Sequence, residues 1–371
     1  MTPPSRVYFA DMRTDINDSL LDKLGRVIDA AGMDGIDMER KFVALKMHFG
    51  ERGNLSFLRP NFAKVVADRI RSLGGIPYLT DTNTLYPGGR KNAPDHLQTA
   101  CENGFGPATT GCHVIIADGI RGTDDAEVPV DGEYVRSARI GRGIVDSDII
   151  VTLTHFKCHE LTGFGGAVKN LAMGCASRRG KMEMHSEGRP EVDAGLCREC
   201  GRCVESCGSS AISLEGGPAA IDPVACVGCG RCVAACPFDA ITAPTDQRKE
   251  VLNAKMVEYA MAALDGRPSF HVSVIMDVSP FCDCHGENDL PVIPDVGMLA
   301  SFDPVALDRA CVDLCNSSEA VPGSLLHERC GGNGTDDIFS CTQPESDWRS
   351  LFEHAAKMGF GTSEYELIRV R

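Results

Sequence analysis

The feature that most constrains this 371-residue chain is a pair of cysteine runs with the same internal spacing. The first is Cys197-x2-Cys200-x2-Cys203-x3-Cys207, and the second is Cys226-x2-Cys229-x2-Cys232-x3-Cys236. Zinc sites usually show two separated pairs of ligands rather than two runs of four. The N-terminal sequence has no apolar export segment, which argues against a framework of disulfides. The spacing therefore favours iron–sulfur clusters.

The two runs resemble those of bacterial-type ferredoxin modules, which carry two [4Fe–4S] clusters. In such modules three cysteines of one run bind a cluster together with the last cysteine of the other run. The resemblance implies a first cluster bound by Cys197, Cys200, Cys203 and Cys236. It implies a second cluster bound by Cys226, Cys229, Cys232 and Cys207. Gly208 stands where a proline often follows the fourth cysteine, which leaves that turn less constrained.

Composition limits the partners of the chain. Its net charge of −15 argues against general nucleic-acid binding. No stretch approaches the roughly 18 apolar residues of a membrane span, so we expect no membrane partner and a cytoplasmic location. Ten of the 18 cysteines lie outside the two runs, and in a reducing compartment most should be small buried hydrophobic residues. So many thiols beside oxygen-labile clusters indicate an anaerobe.

Outside the cysteine runs, strand-like and helix-like segments alternate. Predicted strands are 42–49, 76–82, 114–118, 149–155, 269–277 and 365–370. Predicted helices are 61–73, 93–103, 140–147, 249–264, 304–316 and 347–358. This alternation predicts an α/β fold with a mixed or parallel sheet and flanking helices. Because the pattern resumes after the cysteine runs, we expect a discontinuous α/β domain (1–190 and 246–371) with an inserted ferredoxin-like α+β module (191–245).

Ligand sites in open α/β sheets form at the carboxyl ends of the strands. Polar segments follow several of the predicted strands, at 46–54, 80–90, 154–185 and 281–285. The segment 154–185 combines histidines, basic residues and glycines, which suit acid–base chemistry and close approach to an anionic ligand. We predict catalytic roles for His155, His159, Lys169 and His185. We predict cofactor binding by Lys157, Gly165, Gly166 and Asn170. The alternative is a solvated basic loop that docks beside the module.

The motif Cys282-Asp283-Cys284-His285 places two thiols and an imidazole within four residues. Cys282 and Cys284 are candidate metal ligands or redox thiols. The alternative is a pair of packed cysteines at the end of a strand.

Together, several motifs resemble the iron–sulfur-centre proteins that contain the domain of unknown function numbered 362. The motifs are Lys46-Met-His48-Phe-Gly-Glu51, Asp81-Thr-Asn-Thr-Leu-Tyr86, His155-Phe-Lys157-Cys-His159-Glu160, Gly163-Phe-Gly-Gly-Ala-Val-Lys169-Asn170, Cys282-Asp-Cys284 and Asp303-Pro-Val-Ala306. The resemblance covers nearly the whole chain. It implies an α/β domain with an inserted two-cluster module, and it does not imply an activity.

A fainter likeness concerns the spacing His159-x9-Lys169-x15-His185, with Gly165-Gly166 before the lysine. It is similar to the nickel-pincer-nucleotide lactate racemases, in which a lysine after paired glycines tethers the cofactor. The likeness implies that Lys169 is the tether and that the two histidines serve the metal and proton transfer. Asn170 and the cysteine runs depart from that family, whose other motifs are not evident here.

The sequence leaves three functions open. The first is an oxidoreductase in which two [4Fe–4S] clusters pass electrons to a ligand or metal site, with a redox partner protein and a small-molecule ligand. The second is a non-catalytic electron carrier or adaptor. The third is a protein that handles a metal or cofactor, with an additional metal or an organometallic cofactor beside the clusters.

Overall fold

The computed structural model describes residues 4–185, 189–244, 247–331 and 336–371. Its strands are β1 Ser5–Asp11, β2 Phe42–Lys46, β3 Ile76–Asp81, β4 Val114–Ile116, β5 Asp125–Pro129, β6 Ser137–Gly141, β7 Ile149–His155, β8 Lys157–His159, β9 Gly163–Gly165, β10 Glu191–Val192, β11 Ile212–Ser213, β12 Ala220–Ile221, β13 Ile241–Thr242, β14 Ser269–Ile275, β15 Gly297–Ser301 and β16 Tyr365–Arg369.

Its helices are α1 Leu20–Ala30, α2 Pro60–Ser72, α3 Ala93–Glu102, α4 Pro107–Thr110, α5 Arg142–Val145, α6 Ala167–Cys175, α7 Arg178–His185, α8 Arg202–Ser206, α9 Arg231–Ala235, α10 Lys249–Leu264, α11 Pro304–Asn316, α12 Leu325–Cys330, α13 Ile338–Thr342 and α14 Arg349–Met358. Among the described residues, no helix is both long and apolar enough to span a bilayer.

Eight strands form one mixed sheet in the order β16-β1-β15-β14-β7-β2-β3-β4. The run from β14 to β4 is parallel, whereas β15 lies antiparallel to both β14 and β1. Successive side chains of a strand point to opposite faces, so each face needs its own cover. Val151 and Leu153 of β7 belong to the core beneath α1 and α2, and Ile150 belongs to the core beneath α6, α10, α11 and α14. The α/β architecture expected from the sequence is confirmed.

The predicted elements fall on observed ones, with differences at their ends. The helices expected at 249–264 and 304–316 have those bounds, and Asp303 caps α11 by accepting the amide N–H groups of Val305 and Ala306. The helix expected at 140–147 is largely replaced by β6 and the single turn α5. A branched residue, Ile140, favours the strand, which pairs with β5 through Ala126.

The cysteine-rich segment, residues 191–244, lies in the connection between the neighbouring parallel strands β7 and β14. Its two ends meet because β10 pairs with β13, with Val192 opposite Ile241. An insertion whose ends lie side by side need not disturb the connection that carries it. The segment has a small core of its own, built from Cys203, Ile212, Ala219, Cys232, Val233, Cys236, Ala240 and Ile241.

The two halves of this segment repeat the same backbone. Each half contains a short helix, α8 or α9, and each contributes one strand to the β11–β12 pair and one to the β10–β13 pair. The left-handed conformation recurs at matching positions, namely Glu199 and Gly228, Gly201 and Gly230, and Ser210 and Asp239. This conformation is costly for residues with a side chain, such as Glu199, Ser210 and Asp239, so its recurrence at matching positions indicates one loop design used twice.

Two of the ten cysteines outside the runs are paired with each other rather than being free buried residues. Cys330, at the end of α12, forms a disulfide with Cys341 of α13. The two helices pack against each other and place the two Cα atoms 6.3 Å apart, within the range that a disulfide spans.

Candidate functional site

The carboxyl ends of β2, β3, β7 and β14 point to the same edge of the sheet, and four polar segments meet there. Together they line a narrow polar cleft that includes Lys46, His48, Asp81, Arg90, His155, Lys157, Lys169, Asn170, Cys282 and Cys284. Residues more than 200 positions apart in the chain are therefore neighbours. The segment 154–185 is largely buried, so it is not a solvated loop.

Paired charges form the floor of the cleft. Asp81 lies 3.0 Å from Lys46 Nζ and 3.6 Å from a guanidinium nitrogen of Arg90. Arg90 also contacts Glu51 at 3.2 Å. Burial alone would raise the pKa of Asp81, but the surrounding positive charges outweigh it and hold that pKa well below its usual range. These charges balance one another, so the floor is a rigid polar base.

A second buried network holds Asp283 in place. Its carboxylate lies 2.8 Å from His155 Nδ1 and 3.2 Å from Lys157 Nζ. The other ring nitrogen of His155, Nε2, is 2.7 Å from the carbonyl oxygen of Met276. Both ring nitrogens of His155 therefore face acceptor oxygens. Neither nitrogen of His155 is free to bind a metal or accept a proton, and Lys157 also points into this network.

The remaining predicted binding residues shape the cleft. Asn170 accepts a hydrogen bond from Lys46 Nζ at 2.8 Å and donates to Thr154 at 3.0 Å. A side chain at Gly166 would collide with the carboxylate of Asp308, 2.3 Å from the Cβ position. Asp308 caps α6 by accepting the amide N–H of Val168, and its burial raises its pKa to about 7. A Cβ at Gly165 would lie 3.2 Å from the Lys157 side chain.

A larger cavity of about 710 Å³ opens above the cleft, and we call it the interface cavity. Asp239, Thr242 and Ala243 of the cysteine-rich segment form part of its wall. The α/β part contributes Arg52, Tyr86, His159, Glu160, Lys169, Lys181, His185, Cys284 and His285. Three of the four predicted catalytic residues therefore meet in one cavity. His155 lies below, in the narrow cleft.

Burial strongly lowers the pKa of two residues of this wall. Burial lowers the pKa of His185 to about 3, so its ring is neutral near pH 7. Within the described part of the chain, His185 Nδ1 has no hydrogen-bond partner. Burial also lowers the pKa of Lys181 to about 8, and its ammonium donates to Thr82 and to the carbonyl of Ala176. A buried, unsatisfied ring nitrogen beside two lysines suits a polar ligand.

Cys282 and Cys284 occupy a tight turn at the edge of this cavity. The amide N–H of His285 donates to the carbonyl of Cys282 at 3.0 Å, which closes the turn. Asp283 points inward, both thiols beside it line the narrow cleft, and Cys284 also lines the interface cavity. A hydrogen bond from the Cys284 thiol lowers the pKa of Cys282, and the nearby Lys169 ammonium lowers it further. The hydrogen bond between the two thiols raises the pKa of Cys284. Lys169 Nζ lies 3.8 Å from Cys282 Sγ.

Two groups of side chains here bring three possible metal-ligand atoms close together. The ligand atoms of His159, Cys282 and Cys284 all lie within 4.8 Å of one another. The ligand atoms of Glu160, Cys284 and His285 do so as well. Sequence reasoning singled out the two cysteines, but not that His159, more than 120 positions earlier, reaches them.

In the cysteine-rich segment, Cys197, Cys200, Cys203 and Cys236 line one small cavity. These are the four residues implied for the first cluster. Amide N–H groups point at the sulfurs, from Ala219 to Cys197, Ala211 to Cys207 and Ala240 to Cys236, at 3.4, 3.2 and 3.3 Å. Hydrogen bonds to cysteine sulfurs are among the contacts that tune iron–sulfur clusters. The donor set and its surroundings therefore fit such a group.

Arg178 joins this segment to the α/β part, a role that the sequence analysis did not predict. Its guanidinium donates to the carbonyls of Thr84, Lys91 and Arg121. Its stem packs on Gly230, where a Cβ would lie 2.6 Å from Arg178 Cδ. Burial lowers the pKa of Arg178 to about 10, and the nearby Cys232 and Cys229 work against that shift. Arg178 is thus a buried cation between the second cysteine run and the wall of the cleft.

Comparison with known protein families identifies the chain. The model of the family described as "Domain of unknown function (DUF362)" matches residues 43–313. This match spans more than half of the chain, and the chain belongs to that family. A search of curated proteins finds no match.

Solved structures include two similar chains. One is the lactate racemase apoprotein from Thermoanaerobacterium thermosaccharolyticum, with 12% identity, a TM-score of 0.45, and coverage of 86% of this chain and 59% of that one. The other is a Thermotoga maritima protein from a structural genomics consortium, with 11% identity, a TM-score of 0.36, and coverage of 75% and 54%. The chain thus spans less than two thirds of the length of either protein.

Proposed function

We propose that this family member is an iron–sulfur oxidoreductase that delivers electrons to a small ligand or metal bound in the interface cavity. In this proposal residues 191–245 form a ferredoxin-like module, and residues 1–190 with 246–371 form the body that binds the ligand. The observation that carries the proposal is the shared wall of the cavity. Asp239 and Thr242, which follow Cys236, line the same cavity as His159, Lys169 and His185.

The cysteine-rich segment suits two [4Fe–4S] clusters held crosswise. Cys197, Cys200, Cys203 and Cys236 would hold the first, and their shared cavity supports this grouping. Cys226, Cys229, Cys232 and Cys207 would hold the second, by the repeat of the same backbone. Bound clusters of this type supply single electrons at low potential. An enzyme that uses them needs a protected site nearby, and the interface cavity is next to the segment.

The residues of the cavity indicate a small anionic ligand. Lys169 and Lys181 place positive charge at its wall, and the charges of the floor below are already paired. His185 is neutral near pH 7 and offers Nδ1 to a ligand, either as an acceptor or as a donor. His155 acts as a positioning residue, because both of its nitrogens are committed to Asp283 and Met276.

A direct test uses reduced methyl viologen as the electron source, with oxygen excluded. Its oxidation is followed in the presence of small carboxylates and phosphates that contain a reducible group. We expect at least one to accelerate oxidation, and Lys169→Ala to lower the accelerated rate by about 100-fold or more, the usual cost of losing one preorganised charged contact. Lys64→Ala, which alters an exposed lysine of α2, is the matched control. Cluster absorbance must be unchanged in both variants, and an unaltered rate in Lys169→Ala would refute this site.

A further inference from the structure

We infer that His159, Cys282 and Cys284 bind a metal ion whose fourth coordination position opens into the interface cavity. The inference goes beyond the proposed redox function, because these three residues would hold a metal whether or not the clusters transfer electrons. Two thiolates, one imidazole and an open position form a ligand set found at catalytic zinc sites. Soft thiolate donors favour Zn²⁺ and similar d-block ions over Mg²⁺ or Ca²⁺.

The turn that carries the two thiols is fixed before any metal arrives. Asp283, between them, is anchored to His155 and Lys157, and its carbonyl oxygen accepts the amide N–H of Glu51 at 3.0 Å. With the central residue held inward, Cys282 and Cys284 both line the narrow cleft, and Cys284 also borders the interface cavity. A metal site with preset ligands avoids the cost of ordering them on binding.

The ring of His159 is fixed as well. Its Nδ1 accepts the amide N–H groups of Leu161 and Thr162, at 3.1 and 3.3 Å. This contact leaves Nε2 to face the thiols and places the proton of the neutral ring on Nε2. A metal that binds Nε2 would take the place of that proton, which would move to Nδ1 of the neutral ring and release the two amide contacts.

The surrounding charges balance such a site. Two thiolates and a neutral imidazole carry two negative charges, which a divalent ion neutralises. The ammonium of Lys169, 3.8 Å from Cys282 Sγ, pairs with that thiolate. A buried charge is tolerated when it is paired, so Lys169 is expected to raise the affinity for the metal.

The neighbouring group of Glu160, Cys284 and His285 is the weaker candidate. Glu160 and His285 already contact each other at 3.0 Å, and the His285 side chain is 39% exposed. The His159 side chain is only 5% exposed. Because the two groups share Cys284, replacing His159 or His285 separately tells them apart.

The test uses protein purified without oxygen, stripped of loosely held metal by a chelator, and titrated with Zn²⁺ alone. X-ray absorption at the zinc edge is blind to iron, so the clusters do not interfere. We expect one zinc per chain with two sulfurs at about 2.3 Å and one nitrogen at about 2.0 Å. His159→Ala and Cys284→Ser should each weaken binding by more than about 100-fold, and Lys169→Met by about 10-fold.

The controls decide between outcomes. His285→Ala and Cys101→Ser, the latter at an exposed position of α3, should bind zinc as the unaltered protein does. Iron content, measured in the same samples, reports separately on the cysteine-rich segment, and the fluorescence of the buried Trp348 shows whether the α/β part of each variant has folded. A zinc shell without sulfur, or zinc lost in His285→Ala but retained in His159→Ala, overturns the inference. If the unaltered protein binds zinc at this site but contains no iron, the result counts against the redox proposal and not against the metal site.

Discussion

The cysteine-rich segment and the interface cavity concentrate reactive side chains in two different ways. The segment holds eight cysteines within about forty residues, and its two halves repeat the same left-handed positions. The cavity collects residues from positions 51 to 287, which the order of the strands and the inserted segment bring together. Local spacing therefore determines the first arrangement, while the second depends on how the whole sheet folds. The two regions should respond differently to mutation and to pH.

The largest effect should come from breaking the crosswise pattern of the cysteines. Cys236→Ser should remove the cluster of the first run, because that cluster takes its fourth ligand from the second run. Iron should fall from about eight to about four per chain, and the remaining paramagnetic signal should match that of Cys200→Ser. Cys207→Ser should instead match Cys229→Ser. If Cys236→Ser matched Cys229→Ser, each run would bind its own cluster.

The next largest effect concerns the buried charges below the cavity. Asp283→Asn removes the partner of both His155 and Lys157 and should lower the free energy of unfolding by about 3–5 kcal/mol. Unfolding in urea can be followed by the fluorescence of Trp348, which is the one tryptophan of the chain and lies in the α/β core. Asp277→Asn, at an exposed ion pair with Arg59, should cost less than about 1 kcal/mol. Equal losses in the two variants would remove the structural role given to Asp283.

Acid should lower the stability of the α/β part more than that of the cysteine-rich segment, because all ten histidines lie outside that segment. Burial lowers the pKa of His271 to about 3, well below its ordinary value of 6.5. The folded state then binds fewer protons than the unfolded state between these values, so stability falls as the pH drops below 6.5. His271 alone should cost about 2 kcal/mol by pH 5. His271→Gln should flatten the pH dependence of Trp348-monitored unfolding, whereas an unchanged slope would show that this ring does not control it.

The smallest effects compare the two halves of the segment. Gly201 and Gly230 occupy matching left-handed positions, so alanine at either should cost about 1–2 kcal/mol. Gly230→Ala should cost more, because its Cβ would collide with Arg178, whereas the nearest atom to a Cβ at Gly201 is 3.8 Å away. Thermal loss of cluster absorbance measures the difference. Equal shifts in the two variants would show that the contact with Arg178 does not couple the segment to the α/β part.

Much of the fold could be predicted, because most strands of the sheet are continuous apolar runs that alternate with amphipathic helices. The residue range of α10 and the strand β7 follow from that pattern alone. The antiparallel strand β15 does not, since its five residues follow a long irregular stretch and pair only with distant partners. Its place in the sheet depends on tertiary contacts that a local pattern does not contain.

The candidate site was predictable by residue type and not by orientation. His159, Lys169 and His185 were identified from a segment rich in chemistry, and they do line one cavity. His155 looked equivalent in sequence, but its ring contacts the carboxylate of Asp283, which lies between Cys282 and Cys284 in the chain. Whether a polar side chain faces a ligand or a buried partner depends on residues far along the chain. The role of Arg178 between the two parts of the molecule, for example, depends on its contact with Gly230.

The most direct test of the account is the iron and acid-labile sulfide content of protein purified without oxygen, together with its paramagnetic resonance after reduction. The account predicts about eight iron and eight sulfide per chain, with the signal of two neighbouring [4Fe–4S] clusters. Zinc in place of iron at the eight cysteines, or a single cluster in an otherwise folded protein, would contradict it.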